Sequence, residues 1–474
     1  MRSTIFLTRA AGLLVALATL MSAGSAHAGG LFLFDRGARP LGRGGAFVAG
    51  VDDPNALHYN PAGLIESGNQ LMGDATLTVP FASVTRTNPD GSPMAKVDAS
   101  PLLLPIPQGG FSHNFGLKNW GFGASIFAPN VMIIGYPRSL RQGGMNVPSP
   151  TRYSLVNLEG SLLATLALGA AWQPIKGLSL GAALHLTGGR FTGSTALNAC
   201  DGTLCTFPED PSFDAYVTFD ALPVYSVAGM FGVILNAGDR IRLGVSFITP
   251  STLSGSGTIK TRLPNSVLFE SANVSGDKLD FEMKMPAILR VGSEIRPVRA
   301  LRMEGAFQWE QWSRQQSIDI TPKNVEIQNI TGVNNYQIDK VSLARNMRNT
   351  ISVRGGFEAW LPTWLVGKVF KKRHFAMRGG LAWEKGAFSS QAMSPLTLDT
   401  NKVLITGGLS IDLAKWLRFD TTAGYIWMQD PKVRNSEIRQ PAALRPGYID
   451  ASVIGNGDYK VEAFFLGGGF AIRL

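Results

Sequence analysis

Apolar and polar residues alternate along much of this chain with a period of two, the spacing that sends successive side chains to opposite faces of a β-strand. Over 301–310 one face reads Leu301, Met303, Gly305, Phe307, Trp309 and the other Arg302, Glu304, Ala306, Gln308, Glu310. Over 375–384 the faces are Phe375, Met377, Gly379, Leu381, Trp383 against Ala376, Arg378, Gly380, Ala382, Glu384. The same sorting separates Ile351, Val353, Phe357 from Ser352, Arg354, Glu358, and Leu289, Val291, Ile295 from Arg290, Glu294, Arg296. The pattern predicts about fourteen strands, centred near residues 78, 111, 125, 165, 184, 226, 246, 289, 306, 355, 379, 408, 422 and 468. Connections after odd-numbered strands are mostly long (87–106, 136–152, 195–215, 261–280, 320–348, 385–401, 429–460), whereas most after even-numbered strands are tight. Tight turns on one rim and long loops on the other are the layout of an antiparallel transmembrane β-barrel of the outer-membrane kind. The exception is Pro362 to Arg373, where Trp364, Leu365, Val366 and Val369 interleaved with Lys368, Lys371 and Lys372 predict a short amphipathic helix at the periplasmic rim.

Two stretches fall outside this pattern. Residues 1–28 carry Arg2 and Arg9, an apolar run from Ala10 to Met21 and an Ala26-His27-Ala28 cleavage site, which together predict a secretory signal peptide. Residues 29–68 open with an apolar tip, Leu31-Phe32-Leu33-Phe34, continue through a Gly- and Arg-rich section, and reach an Asn60-Pro61-Ala62-Gly63 turn. With neither helical nor alternating periodicity, this segment has no core of its own and is expected as a plug inside the barrel formed by residues 69–474.

Composition agrees. Charged residues make up 16% of the chain, against about 25% in soluble domains, and glycine, at 54 residues, is abundant. Removing residues 1–28 takes Arg2 and Arg9 with it and lowers the formal charge from +10 to +8. The basic residues are scattered, so the positive balance does not point to nucleic acid. Cys200 and Cys205, in Cys-Asp-Gly-Thr-Leu-Cys, most simply close a local disulfide in an oxidising compartment. No metal-ligand cluster accompanies them, and no cofactor is called for.

The inward faces carry charges of both signs on adjacent strands: Arg290 and Glu294, Arg302 and Glu304, Arg354 and Glu358, Arg378 and Glu384, Arg418 and Asp420. Unpaired buried charge is costly, so these groups must pair along the wall or with the plug's own Arg36, Arg39, Arg43, Asp52 and Asp53. A network anchoring the plug to the later strands is the expectation.

With these landmarks in order, the chain resembles the FadL-type long-chain fatty-acid and hydrocarbon transporters. The resemblance rests on Leu-Gly-Arg-Gly-Gly-Ala at 41–46, Asn-Pro-Ala-Gly at 60–63, Gly121 to Tyr136 with its Ala128-Pro129-Asn130 step, and Pro286 to Ser313 with Trp309 and Trp312. It implies a fourteen-stranded barrel plugged by an N-terminal hatch. It also implies passive transport, in which a hydrophobic molecule lands in an outer-loop groove, moves to a pocket against the hatch tip, and leaves through the wall where the third strand kinks. Pro129 suits such a break, since proline cannot donate to a ladder. The closing residue, Leu474, departs from the aromatic end common in such barrels. The implied partners are a hydrophobic solute, outer-membrane lipid and lipopolysaccharide, with a monomeric barrel as the expected state.

Three other functions compete. A hydrolase would need a nucleophile and base, but His58, His113, His185 and His374 are widely separated and stand beside no nucleophile motif. A general diffusion porin would not need the apolar-tipped plug, and a structural or adhesive barrel would not need a route.

Overall fold

The computed structural model describes residues 35–101, 105–128, 134–154, 161–199, 209–332, 335–338, 340–361, 374–440 and 452–474. The signal peptide, Leu31 to Phe34, Pro129, Asn130, Cys200, Cys205 and the helix expected at Pro362 to Arg373 lie outside those residues.

Among the described residues fourteen strands form one antiparallel ring. They are β1 (Gln70–Thr87), β2 (Pro105–His113), β3 (Trp120–Phe127), β4 (Leu162–Ile175), β5 (Leu178–Asn198), β6 (Asp214–Ala237) and β7 (Ile241–Ile248), then β8 (Ile288–Val298), β9 (Leu301–Glu310), β10 (Thr350–Leu361), β11 (Phe375–Glu384), β12 (Lys402–Ala414), β13 (Leu417–Met428) and β14 (Gly457–Arg473). Each pairs with its sequence neighbours. The ring closes where β1 runs against β14, from Gln70 opposite Arg473 to Arg86 opposite Gly457. Every strand centre expected from the alternation falls inside one of these strands.

The alternation works as lipid-facing outside and polar inside. Val353, Leu381, Ile405 and Leu466 are 55%, 55%, 56% and 63% exposed, while their neighbours Arg354 and Arg378 on the opposite face are 4% and 3% exposed. Large apolar side chains presented outward on a closed sheet have no use in water and are the surface a bilayer requires. No described helix is long and apolar enough to cross a membrane, which leaves the strands to do so. Trp416 sits at the β12–β13 turn and Trp427 near the outer end of β13, marking the two interfaces. Leu409, paired with Thr421, lies midway between them. Leu409→Arg is therefore expected to destabilise the barrel by about 2–4 kcal/mol, read as a lowered denaturant midpoint on refolding into lipid, whereas Ser317→Arg on the outer rim should cost little.

The connections expected as loops hold further structure. Beyond β7 the wall continues outward as strands Ser251–Arg262, Lys278–Met285, Ser317–Lys323 and Val341–Ala344, paired in series and joined to the outer half of β6. Their polar faces are rich in Ser, Thr and Lys. Leu253, Ile259, Leu279, Phe281, Ile318 and Ile320 point the other way and pack with Phe191 and Phe219. The connection 385–401 folds inward: Phe388, Met393 and Leu398 are buried with Trp312, Met347, Tyr459, Val461 and Phe465.

Candidate functional site within the barrel

Residues 35–68 form short turns of helix at Ala38–Leu41, Ala56–Tyr59 and Leu64–Ser67, with a 3-10 turn at Pro61–Gly63. None could stand alone, since four-residue helices do not repay their nucleation. They are held because the wall surrounds them: Leu41, Phe47, Val51, Leu57 and Tyr59 are all nearly inaccessible. Phe47, Leu57 and Leu64 pack against inward Phe127, Ala167, Ala171, Met230 and Ile234.

The close fit depends on glycines on the inward face of the wall. A Cβ on Gly181 would lie 2.3 Å from the Ala62 nitrogen, one on Gly232 2.0 Å from Asn60 Oδ1, and one on Gly244 2.7 Å from the Ala49 Cα. A Cβ on Gly356 would sit 2.1 Å from the Arg43 oxygen, and one on Gly380 2.1 Å from the Gly44 nitrogen. These positions let backbone lie against backbone.

Asn60 explains its own turn. Its Oδ1 accepts from the Ala62 N–H at 3.1 Å, capping the 3-10 turn, while Nδ2 donates to the carbonyls of Val48 and of Val233 in β6, each at 3.1 Å. Pro61 follows as the first residue of that turn, where its missing N–H costs nothing, and Ala62 and Gly63 are buried in the same turn. Further wall contacts reach the segment's carbonyls: His185 Nε2 donates to Leu57 at 2.9 Å, Ser246 Oγ to Tyr59 at 2.6 Å, and Arg290 to His58 at 3.1 Å.

The charges pair across the same boundary. The Arg43 guanidinium lies 3.1 Å from Glu294, 3.2 Å from Glu304 and 3.7 Å from Glu358. Arg39 bridges Asp52 at 2.5 Å, Asp53 at 3.1 Å and Glu358 at 3.2 Å. Arg302 reaches Asp52 at 2.8 Å and also bonds Glu358. Arg354 bonds Asp35 and lies 3.8 Å from Glu384, which is 3.2 Å from Lys402. Arg378 joins Glu358 at 3.3 Å to Asp420 at 2.7 Å. The backbone N–H of Arg36 donates to the Tyr59 hydroxyl at 3.0 Å, and its guanidinium lies 5.8 Å from the Phe127 ring.

Glu304 does more than pair. One carboxylate oxygen accepts the N–H groups of Val48 (2.6 Å) and Ala49 (2.8 Å), and the other accepts that of Gly50 (2.9 Å). Three consecutive backbone donors on one anion form a nest. Sequence reasoning missed this role, and also those of Asp35, Lys402 and the wall glycines. The glycines had a signal in the Gly-Gly pairs at strand centres; a nest, made only of backbone, had none.

On the outer side of the segment lies a cavity of about 110 Å³. Its walls include Phe127, Ile248, Leu253, Met283, Met285 and Ile288, and its ionisable lining includes Arg36, His58, Arg290 and Glu310. Burial, with Arg290 and Arg36 adding to it, holds the His58 imidazole well below its ordinary range, so this ring is neutral at pH 7. Its Nε2 has no hydrogen-bond partner among the described residues.

β3 pairs with β2 over Gln108–His113 and with β4 over Thr165–Trp172, and Phe127 is its last paired residue among those described. β2 runs on to Pro105 against β1, and β4 to Leu162 against β5. Among the described residues, Pro105–Pro107 and Leu162–Ala164 are each paired on one side only, and Ala128 follows the last paired residue of β3.

No curated protein sequence matches the chain. Solved structures do match in fold: a FadL homologue of Pseudomonas aeruginosa (14% identity, 94% of this chain and 99% of that one, TM-score 0.70), the toluene transporter TodX of P. putida (14%, 93% and 98%, TM-score 0.62), and the toluene transporter TbuX of Ralstonia pickettii (16%, 93% and 98%, TM-score 0.59). A family model described as outer membrane protein transport protein (OMPP1/FadL/TodX) matches residues 19–467. Nearly the whole chain is thus accounted for, and the protein belongs to that family of outer-membrane transporters of hydrophobic compounds, which are not enzymes.

Proposed function

We propose that this barrel passes long-chain fatty acids, or amphipathic acids like them, from the outer face into the cavity above residues 29–68 and out sideways past the end of β3. The reading is supported by Phe127, which lines a largely apolar cavity and is also the last residue of the third strand paired among those described. The segment 29–68 acts as a hatch. It blocks the axial route with backbone packed on wall glycines. A solute leaving through the gap between Pro105–Pro107 and Leu162–Ala164 enters lipid without crossing the periplasm-side hatch.

The acid preference rests on the ionisable lining of the cavity. Arg36 and Arg290 there outnumber the one carboxylate, Glu310, and the neutral His58 Nε2 is available to a carboxylate or hydroxyl, while the methionines and isoleucines suit an alkyl chain. Leu31 to Phe34 would form the hatch tip, and Pro129 and Asn130 would carry the third strand out of the sheet. A steady, large conductance in planar bilayers would instead favour a general porin.

The test is uptake of labelled oleate and of toluene by a deletion strain carrying the wild type or Met283→Trp, which fills the cavity. Oleate uptake is expected to fall roughly tenfold or more in the variant. Unchanged oleate uptake would remove the cavity from the route, and uptake of toluene alone by the wild type would assign the route to neutral hydrocarbons.

A further inference from the structure

Above the lipid-facing band, the outer surface of β6 changes character. Leu222, Tyr225 and Val227 are 59%, 62% and 57% exposed. Continuing outward on the same face come Asp220, Thr218 and Tyr216. The neighbouring strand Ser251–Arg262 places Thr258 opposite Asp220, Lys260 opposite Thr218 and Arg262 opposite Tyr216. From Leu222 to Tyr216 is about 20 Å along an extended strand. These cations therefore stand at the height of headgroup phosphates and the first sugars, not in the hydrocarbon.

A groove of about 650 Å³ opens on this face between the strands and the hairpin Ser139–Pro148. Arg138, Lys260 and Arg262 line it, and no acidic side chain does among the described residues. The nearest carboxylates are engaged elsewhere: Asp220 is held by Arg190 at 2.5 Å and Asp214 by Arg152 at 2.7 Å. The two guanidiniums are not free to wander. Arg262 lies 4.4 Å and Arg138 6.0 Å from the Tyr216 ring, and Arg138 also donates to the Ser194 hydroxyl. Guanidiniums fixed on an aromatic face lose less freedom on binding an anion than solvated ones do.

We infer that this groove binds the phosphorylated saccharide headgroup of an outer-leaflet glycolipid. Position selects that occupant: the groove lies on the outer surface, directly above apolar side chains that face lipid, and away from the lumen where cargo is proposed to travel. A phosphate offers three acceptor oxygens to Arg138, Lys260 and Arg262, which makes the contacts charge-assisted. The shared chemistry, an anionic oxygen group, could also come from the carboxylate of a fatty acid, and the test separates the two.

Full-length protein in nanodiscs would be titrated with deep-rough lipopolysaccharide, with the same material dephosphorylated by hydrofluoric acid, and with oleate. The wild type is expected to bind the phosphorylated form at least tenfold more tightly than the dephosphorylated one. R138A/K260A/R262A, three exposed positions, should lose that difference while oleate uptake in cells is unchanged. Raised salt should weaken the wild-type interaction. Retained heat-modifiable gel mobility shows that each variant is folded, and Tyr216→Ala, which unseats the guanidiniums and also trims a contact with Tyr153, Ala196, Ile438 and Ile454, should give an intermediate loss. Equal binding of both lipopolysaccharide forms, or a triple variant that binds like the wild type, would overturn the assignment. A variant that loses oleate binding but keeps lipopolysaccharide would reassign the groove to cargo.

Discussion

Glu304→Ala is expected to undock residues 35–68 while leaving the ring of strands intact. The substitution takes from the Arg43 guanidinium one of its three carboxylates, leaving Glu294 and Glu358, and removes the acceptor from the N–H groups of Val48, Ala49 and Gly50. A buried N–H left without an acceptor typically costs about 1–3 kcal/mol, three are affected here, and the weakened pairing of Arg43 adds to that. The proposed hatch has little stability of its own to absorb such a loss, so the effect should be local. In proteoliposomes, protease sites between residues 35 and 68 should open, and planar bilayers should show a conductance absent from the wild type. Glu304→Gln separates the two contributions. Its carbonyl can still accept backbone donors but carries no charge, so it should fall between wild type and alanine. An alanine variant as protected as the wild type would mean that the segment is held by packing alone.

Gly356→Val and Gly355→Val should differ sharply although the positions are adjacent. A Cβ at Gly356 would meet the Arg43 oxygen at 2.1 Å, while one at Gly355 finds nothing within 4 Å. Overpacking of this kind costs about 1–3 kcal/mol even where neighbours can shift; here the neighbour is backbone. Gly356→Val is therefore expected to displace the segment and admit ions, whereas Gly355→Val adds an apolar group on the lipid side and should behave as wild type. Equal conductance from the two variants would show that wall glycines do not set the seal.

Much of this architecture was legible in the sequence, for a definite reason. In a barrel, each strand's two faces meet solvents of opposite character, so Leu301, Met303, Phe307 and Trp309 had to separate from Arg302, Glu304 and Gln308 whatever the details of pairing. That inward charges needed partners followed from the cost of burial. Which partner each took did not follow, because closure alone brings Arg43 within reach of Glu294, Glu304 and Glu358, residues 251 or more positions away. The strands Ser251–Arg262 and Lys278–Met285 overlap only the two ends of the connection expected at 261–280, and they do not stand out as separate strands in the sequence because Ser, Thr, Lys, Asp and Glu dominate their outer faces, which meet water or sugar instead of hydrocarbon. Of the cavity, Phe127, Met283 and Ile288 were visible only as members of strands or loops; their convergence with His58 and Arg290 is a property of the closed ring.

The seam has a bearing on biogenesis. Its two sides are β1 and β14, so the ring cannot shut until the last seventeen residues of strand have arrived. Residues 35–68 come immediately before β1 and touch strands from β2 through β12. The cork is thus synthesised first yet finds its full seat last, and a chain stalled before its carboxyl end would hold an unseated cork in an open trough.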